Sequence, residues 1–419
     1  MLINFKFSNC RSFLDEANLS LNATKDKEFE EINTFTLDDV FLPKNENKFL
    51  KSAIILGPNA SGKTNVFKAL SYMHSKIISP SISNECFAFN EEGEIKPSSF
   101  EVEFIYNKTY YKYGFSIFKN KIEKEYLYKR ENRLSLVFSR NKDAITINDL
   151  QDQNNLIKVF KLRSDVLFLT SSGDFNLNIS MYLNDVFNWF SSQLIINFYE
   201  YENYFDIYEQ SNKKYKEQAI KILQMADIGL SELNVVKKKI DSNAPNIYQG
   251  RRANQVKIEN KEMFNIDLKT SFNVYTKDHK EKEKKDVLLC KDFGFNSEGT
   301  YRLLRYLGLI LFSLDTGKTL LIDEIDSSIH FLVVDYLIKL FNSIDSNPKN
   351  AQLIATAQDV TLLDSNFRRD QIYFTSKNRY GESSLYSLAD FKGVTKKDLY
   401  SKKYLAGFYS SIPNMNKNL

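Results

Sequence analysis

Apolar positions along the chain switch between strand-like and helix-like spacing several times, and the switches mark out its parts. Leu2 to Phe7 and Ala17 to Leu21 read as short strands, and Ser52 to Leu56 is an apolar run that stops at Gly57. Beyond Gly57 the spacing lengthens. Val66, Phe67, Leu70 and Met73 fall on one helical face, which predicts a helix from about Gly62 to Ser75. The predicted order is strand, glycine turn, helix.

From Phe100 to Phe138 the pattern returns to alternation, as in Phe100-Glu-Val-Glu-Phe-Ile-Tyr and Tyr110-Tyr-Lys-Tyr-Gly-Phe-Ser-Ile. It predicts a small antiparallel sheet with turns such as Lys119-Asn120-Lys121. Between about Leu150 and Leu223 the spacing is helical, in Met181-Tyr-Leu-Asn-Asp-Val-Phe-Asn-Trp-Phe and Ala219-Ile-Lys-Ile-Leu, before a strand-like return at Leu233 to Ile240. Asp241 to Lys261, with Arg251, Arg252 and Lys257, and Lys277 to Asp286, with five lysines and four acids, are expected as loops. Arg251-Arg252 is a candidate contact for phosphate or an acidic partner.

After Lys291 the order is turn, helix, strand, helix, strand, the run of a parallel α/β sheet with Thr319 to Ile322 and Gln352 to Thr356 as core strands. The expected organisation is three-part. Residues 1–149 and 287–419 form two halves of one α/β head, with a parallel core sheet and an antiparallel flanking sheet, and residues 150–286 insert a mainly helical lobe.

A chain of 419 residues with 42% hydrophobic content can bury a sizeable core. Its net charge of +4 is too small for bulk attraction to nucleic acid, so any such contact must be local. Aromatic residues are scattered through the predicted elements and read as core filling. Cys10, Cys86 and Cys290 lie far apart without paired spacing, which argues against a disulfide framework or zinc site and for a reducing cytoplasm. The start of the chain has no signal-peptide pattern, and the longest apolar run, around Tyr306 to Leu314, is too short to span a membrane.

Three short segments carry chemistry. Gly57-Pro-Asn-Ala-Ser-Gly-Lys-Thr matches the phosphate-loop pattern G-x-x-x-x-G-K-[ST] in the strand-to-helix context it requires. Its glycines let backbone N–H groups curl around phosphate oxygens, the helix N-terminus adds positive potential, Lys63 reaches the terminal phosphates and the Thr64 hydroxyl ligates Mg2+. Asn59, Gly62 and Asn65 join Lys63 and Thr64 in the expected ATP-binding set. Thr319-Leu-Leu-Ile-Asp-Glu then places two carboxylates at a strand end, where Asp323 can hold the magnesium shell and Glu324 can polarise a water. In isolation such a pair serves equally as a helix cap. In Asn296-Ser-Glu-Gly-Thr a small-residue turn opens a helix with Leu303, Leu304, Leu307, Ile310, Leu311 and Leu314 on its apolar face. Ser297 and Gly299 there suit either a simple N-cap or a grip on the γ-phosphate presented by another subunit.

Together the phosphate loop, Ser297-Glu-Gly-Thr, Ile322-Asp-Glu-Ile-Asp-Ser-Ser-Ile-His and Gln352-Leu-Ile-Ala-Thr resemble the ABC-type ATPases. Closer still, the chain looks like the abortive-infection ATP-binding proteins of bacterial anti-phage systems, including the ATPase components of AbiL and PARIS. Asn9-Cys-Arg-Ser-Phe, Tyr386-Ser-Leu-Ala-Asp-Phe and Tyr404-Leu-Ala-Gly-Phe-Tyr-Ser-Ser-Ile-Pro carry that closer likeness. The resemblance implies an ATPase using ATP and Mg2+, with two heads joined head to tail in a dimer or higher oligomer. The Lys63 site of one copy would be closed by Ser297 and Gly299 of the other. It also implies that Arg11 lies near the nucleotide, that Asp326 to Ser328 forms the loop between sites, and that Glu324 is the catalytic base. Where relatives carry a γ-phosphate-sensing histidine this chain has Gln358, which implies slow turnover, since glutamine donates a hydrogen bond without a charge. His330 is expected either at that loop or in packing.

The leading functional expectation is an ATP-loaded sensor or scaffold that answers a phage-derived trigger and controls a separate effector, a Toprim-type nuclease, because the residues after Glu324 read as ATPase head. The alternative is a repair or chromosome-maintenance ATPase that clamps DNA on ATP-driven dimerisation, distinguished by ATP-dependent, salt-sensitive duplex binding. A transporter head lacks support from any membrane segment. A GTPase is disfavoured by the want of an Asn-Lys-x-Asp motif.

Overall fold

The computed structural model describes residues 1–42, 47–78, 85–149, 163–171, 177–197, 205–209, 213–239, 255–259, 262–289, 297–395 and 399–412. Arg251, Arg252, Cys290, Asn296 and Pro413 lie outside the described residues. The chain divides into two units: Met1–Ile196 with Gly317–Ile325 and Ile338–Leu419, and Asn197–Thr316 with Asp326–Leu337.

The first unit is built on a largely parallel sheet. Its strands are β1 (Ser52–Leu56), β2 (Thr319–Ile322), β3 (Gln352–Ala357), β4 (Ile372–Lys377) and β5 (Ser383–Ser387). Their order in space is β2-β3-β1-β4-β5, with the short strand Leu194–Asn197 beyond β2. β2, β3, β1 and β4 run parallel and β5 antiparallel. Every residue of β1, β2 and β3 is buried, as a parallel sheet covered on both faces requires. Ile322 pairs with Ala355, and Leu56 pairs with both Ala357 and Phe374. The carboxyl ends of four strands therefore open at one edge, the edge where α/β sheets bind ligands. From that edge runs α1 (Lys63–Ile78), which buries Val66, Phe67, Leu70 and Met73 as predicted.

A seven-stranded antiparallel sheet accompanies this core, formed by Leu2–Ser8, Ala17–Ser20 and the strands between Ser98 and Ile147. Lys119 and Asn120 both take positive φ, 47° and 63°, which makes their turn the tight kind that suits a twisted hairpin. Gln352 joins the two sheets. Its fully buried amide accepts from Leu2 N at 2.8 Å and donates to Leu2 O at 2.9 Å and Leu50 O at 3.2 Å. The expected α/β class, a parallel core with an antiparallel flanking sheet, is present.

The second unit corrects the expectation of a mainly helical lobe. It contains the helices Lys214–Met225 and α2 (Glu298–Thr316), but also a four-stranded antiparallel sheet of Leu230–Lys239, Gln255–Glu259, Glu262–Tyr275 and Glu281–Leu288. The charged stretch expected as a loop from Lys277 to Asp286 turns at Thr276–Lys280 and then forms a strand. Its side chains are exposed through Asp286, so no apolar alternation marks it. Cross-strand charge pairs, Lys284 with Glu232 at 2.5 Å and Lys269 with Asp286 at 2.9 Å, take that place. Within the same unit α2 buries Leu303, Leu304, Leu307, Ile310, Leu311 and Leu314, and the Tyr208 hydroxyl donates to Leu304 O.

Candidate nucleotide site

The segment after β1 is shaped by close approaches that only glycine tolerates. A Cβ at Gly57 would stand 2.5 Å from Thr375 O, and one at Gly62, whose φ is +116°, would stand 2.7 Å from Ser383 Oγ. The loop thus lies directly on β4 and β5. Lys63 opens α1 and folds back so that Nζ donates to Gly57 O at 2.6 Å and Pro58 O at 3.1 Å. A helix N-terminus with an ammonium folded over the loop before it is an arrangement that can hold an anion.

Asp323 and Glu324 meet this loop through a chain of hydrogen bonds. Thr64 Oγ1 donates to Asp323 Oδ2 at 2.8 Å, and Thr356 Oγ1 donates to Asp323 Oδ1 at 2.6 Å. The same Thr356 hydroxyl accepts the Glu324 amide at 2.7 Å, while Thr356 O accepts the Ile325 amide at 3.0 Å. Glu324 sits at φ +50°, a left-handed conformation costly for a residue with a Cβ. The two bonds to Thr356 hold it there, and Gln358 Nε2 donates to Glu324 Oε1 at 3.1 Å.

Asn59, Gly62, Lys63, Thr64, Asn65, Glu324 and Gln358 line a single cavity of about 230 Å³, together with Ala60, Ser61 and Lys377. Asp323 joins the set through Thr64. The structure does not bring Arg11 into the lining. Arg11, at φ 53°, instead pairs its guanidinium with Glu85 at 2.6 Å, while its neighbour Ser12 accepts the Asn65 amide at 2.7 Å. The reason is local, because the Arg11 amide also bonds Glu85 O at 3.2 Å and the two segments lie side by side.

Ser297 and Gly299 belong to the second unit, apart from the cavity's lining set. Ser297 caps α2: its Oγ accepts the Thr300 amide at 3.1 Å and lies 2.9 Å from Thr300 Oγ1. Gly299 is required because a Cβ there would come within 2.2 Å of Ser328 O, in the Asp326–Ser328 loop. His330 is exposed and its Nδ1 accepts the Leu332 amide at 3.2 Å, a capping role at the following helix.

Two residues of the site escaped the sequence reading. Thr356 was visible only as the end of a core strand, and Lys377 ends β4, a strand whose signal was the run Ile372-Tyr-Phe-Thr before the turn at Asn378 to Gly381. Cys10 and Cys86 are free thiols, and burial pushes the Cys10 thiol up to about 12. Among the described residues no helix is long and apolar enough to cross a membrane.

Residues 52–364 match the family model described as "AAA domain, putative AbiEii toxin, Type IV TA system". No curated protein matches the chain significantly. Among solved structures the chain is similar to a crystal structure of the SmcHead bound to the C-winged helix domain of ScpA, at 12% identity, with 92% of this chain and 97% of that chain covered and a TM-score of 0.39. It is also similar to a structure of the recombination mediator protein RecF-ATP in the RecFOR pathway, at 11% identity, with 92% of this chain and 97% of that chain covered and a TM-score of 0.33.

Proposed function

The chain belongs to this family of AAA domains, and on that premise we propose that it binds ATP with magnesium at Gly57–Thr64, hydrolyses it slowly, and uses the bound nucleotide to join two copies head to tail. The observation that carries the reading is the continuous relay from Thr64 through Asp323 and Thr356 to Glu324 at the edge of one cavity.

The donor set fits magnesium. Thr64 Oγ1 and Asp323 Oδ2, 2.8 Å apart, are hard oxygens of the kind that suits a hard cation bound together with phosphate oxygens. Thr64 and Asp323 would hold it, and when bound it neutralises charge on the phosphoryl oxygens. Lys63 binds the terminal phosphates. Glu324, held by Thr356 and Gln358, accepts a proton from the attacking water.

On this reading Ser297 and Gly299 of the second copy present a hydroxyl, an amide and the positive end of α2 to the terminal phosphate. The likeness to abortive-infection ATPases supports a role as the ATP-gated sensor or scaffold of an anti-phage system, with a phage-derived trigger and a separate effector, a Toprim-type nuclease.

The test is ATP binding and phosphate release in the full chain. Lys63→Ala should lose both, and Glu324→Gln should keep binding while turnover falls by about 10² to 10⁴. Undiminished hydrolysis by Glu324→Gln would contradict the assigned base.

A further inference from the structure

Lys377 gives the cavity a second cation. It closes β4, whose pairing with β1 reaches Phe374 opposite Leu56, and the next residue, Thr375, lies against Gly57, where a Cβ would stand 2.5 Å from Thr375 O. Two ties fix that stretch to the loop. The hydroxyls of Thr375 and Ser61 lie 2.6 Å apart, and Lys377 pairs across the sheet with Ser383, whose Oγ lies against Gly62 and donates to Ser12 Oγ at 2.8 Å. Among the described residues Lys377 makes no ion pair, and its exposed side chain lines the cavity with Asn59, Lys63, Glu324 and Gln358.

Sheet order sets the side from which each group acts. Glu324 and Gln358 follow β2 and β3, on one side of the loop strand β1, whereas Lys377 ends β4 on the other. A magnesium-bound triphosphate keeps net negative charge that Lys63 alone does not balance, and Gln358 adds none.

We propose that Lys377 is a phosphate-binding residue whose ammonium takes an oxygen of the γ-phosphate from the side opposite Glu324. This deepens the ATP reading given above and rests on it. Asn59, which lines the cavity with Lys377, lies in the first half of the loop, while the helix N-terminus at its far end cradles the inner phosphates. Lys377 therefore separates triphosphate from diphosphate. Because β4 lies on the side of β1 opposite the strands that carry Glu324 and Gln358, the contribution of Lys377 falls on substrate binding.

The experiment is titration of the full-length protein with Mg-ATP and Mg-ADP, comparing wild type, Lys377→Gln, Lys377→Arg and Lys63→Ala, with steady-state kinetics alongside. Loss of a charge-assisted hydrogen bond should weaken ATP binding and raise KM roughly tenfold, while ADP affinity moves by less than about twofold. Lys377→Arg should restore most of the ATP affinity. The side chain is exposed, so the melting temperature of Lys377→Gln should match wild type. Equal loss of ATP and ADP affinity, or no loss of either, overturns the assignment. ATP binding that survives Lys63→Ala as well overturns the nucleotide reading beneath it.

Discussion

Thr356 holds Asp323. Its hydroxyl donates to Asp323 Oδ1 at 2.6 Å and accepts the Glu324 amide at 2.7 Å, so one side chain near the strand end orients the Asp323 carboxylate and fixes the backbone of Glu324. Thr356→Val keeps the shape and removes both bonds. Phosphate release should fall roughly ten- to a hundredfold, the equivalent of about 1.5 to 3 kcal/mol for a charge-assisted hydrogen bond, and Thr356→Ser should recover most of it. Steady-state rates of the two variants check this.

Gln358 donates to Glu324 Oε1 at 3.1 Å, where a protonated histidine would bring charge as well. Gln358→His should lower the hydrolysis barrier by about 1 to 3 kcal/mol. A hydrolysis rate no higher than wild type would contradict the proposal that Gln358 slows turnover.

Gly299 leaves no room for a side chain, since a Cβ would approach Ser328 O to 2.2 Å. Gly299→Ala must displace the start of α2 or the Asp326–Ser328 loop, costing about 1 to 3 kcal/mol. ATP-dependent association of copies should be lost, while ATP binding, measured by titration, should persist because Gly299 is not in the cavity's lining.

Site residues set by local spacing and site residues set by strand pairing differ in how legible they are in the sequence. Gly57–Thr64 and Asp323-Glu324 are contiguous, and each chemistry needs its residues at fixed local spacing. Thr356 and Lys377 act through pairing between strands far apart in the chain, Thr356 opposite Ile55 and Phe374 opposite Leu56, which no local pattern reports. The resemblance implies Arg11 near the nucleotide, but a neighbouring segment supplies Glu85 and takes the guanidinium. Lys277 to Asp286 reads as a loop because the strand that begins within it at Glu281 is secured by cross-strand charges and has no hydrophobic period through Asp286.

Acid should weaken the first unit through His74. Burial lowers its pKa from the ordinary 6.5, with a backbone hydrogen bond at Phe190 opposing the shift. Below that value the unfolded chain binds more protons than the folded one, so stability present above about pH 6.5 is lost as the pH falls toward the folded pKa. The melting temperature should drop between about pH 7.5 and about pH 5.5, and the drop should be smaller in His74→Gln.

The central claim is that ATP joins two copies through sites neither completes alone. Light scattering of Glu324→Gln, which should bind ATP without consuming it, tests this most directly when measured without nucleotide and with ATP plus magnesium. The account predicts a monomer mass that doubles or rises further only with ATP and magnesium, and no rise when Ser297→Arg is added. A mass indifferent to nucleotide, or a rise that survives Ser297→Arg, would contradict it.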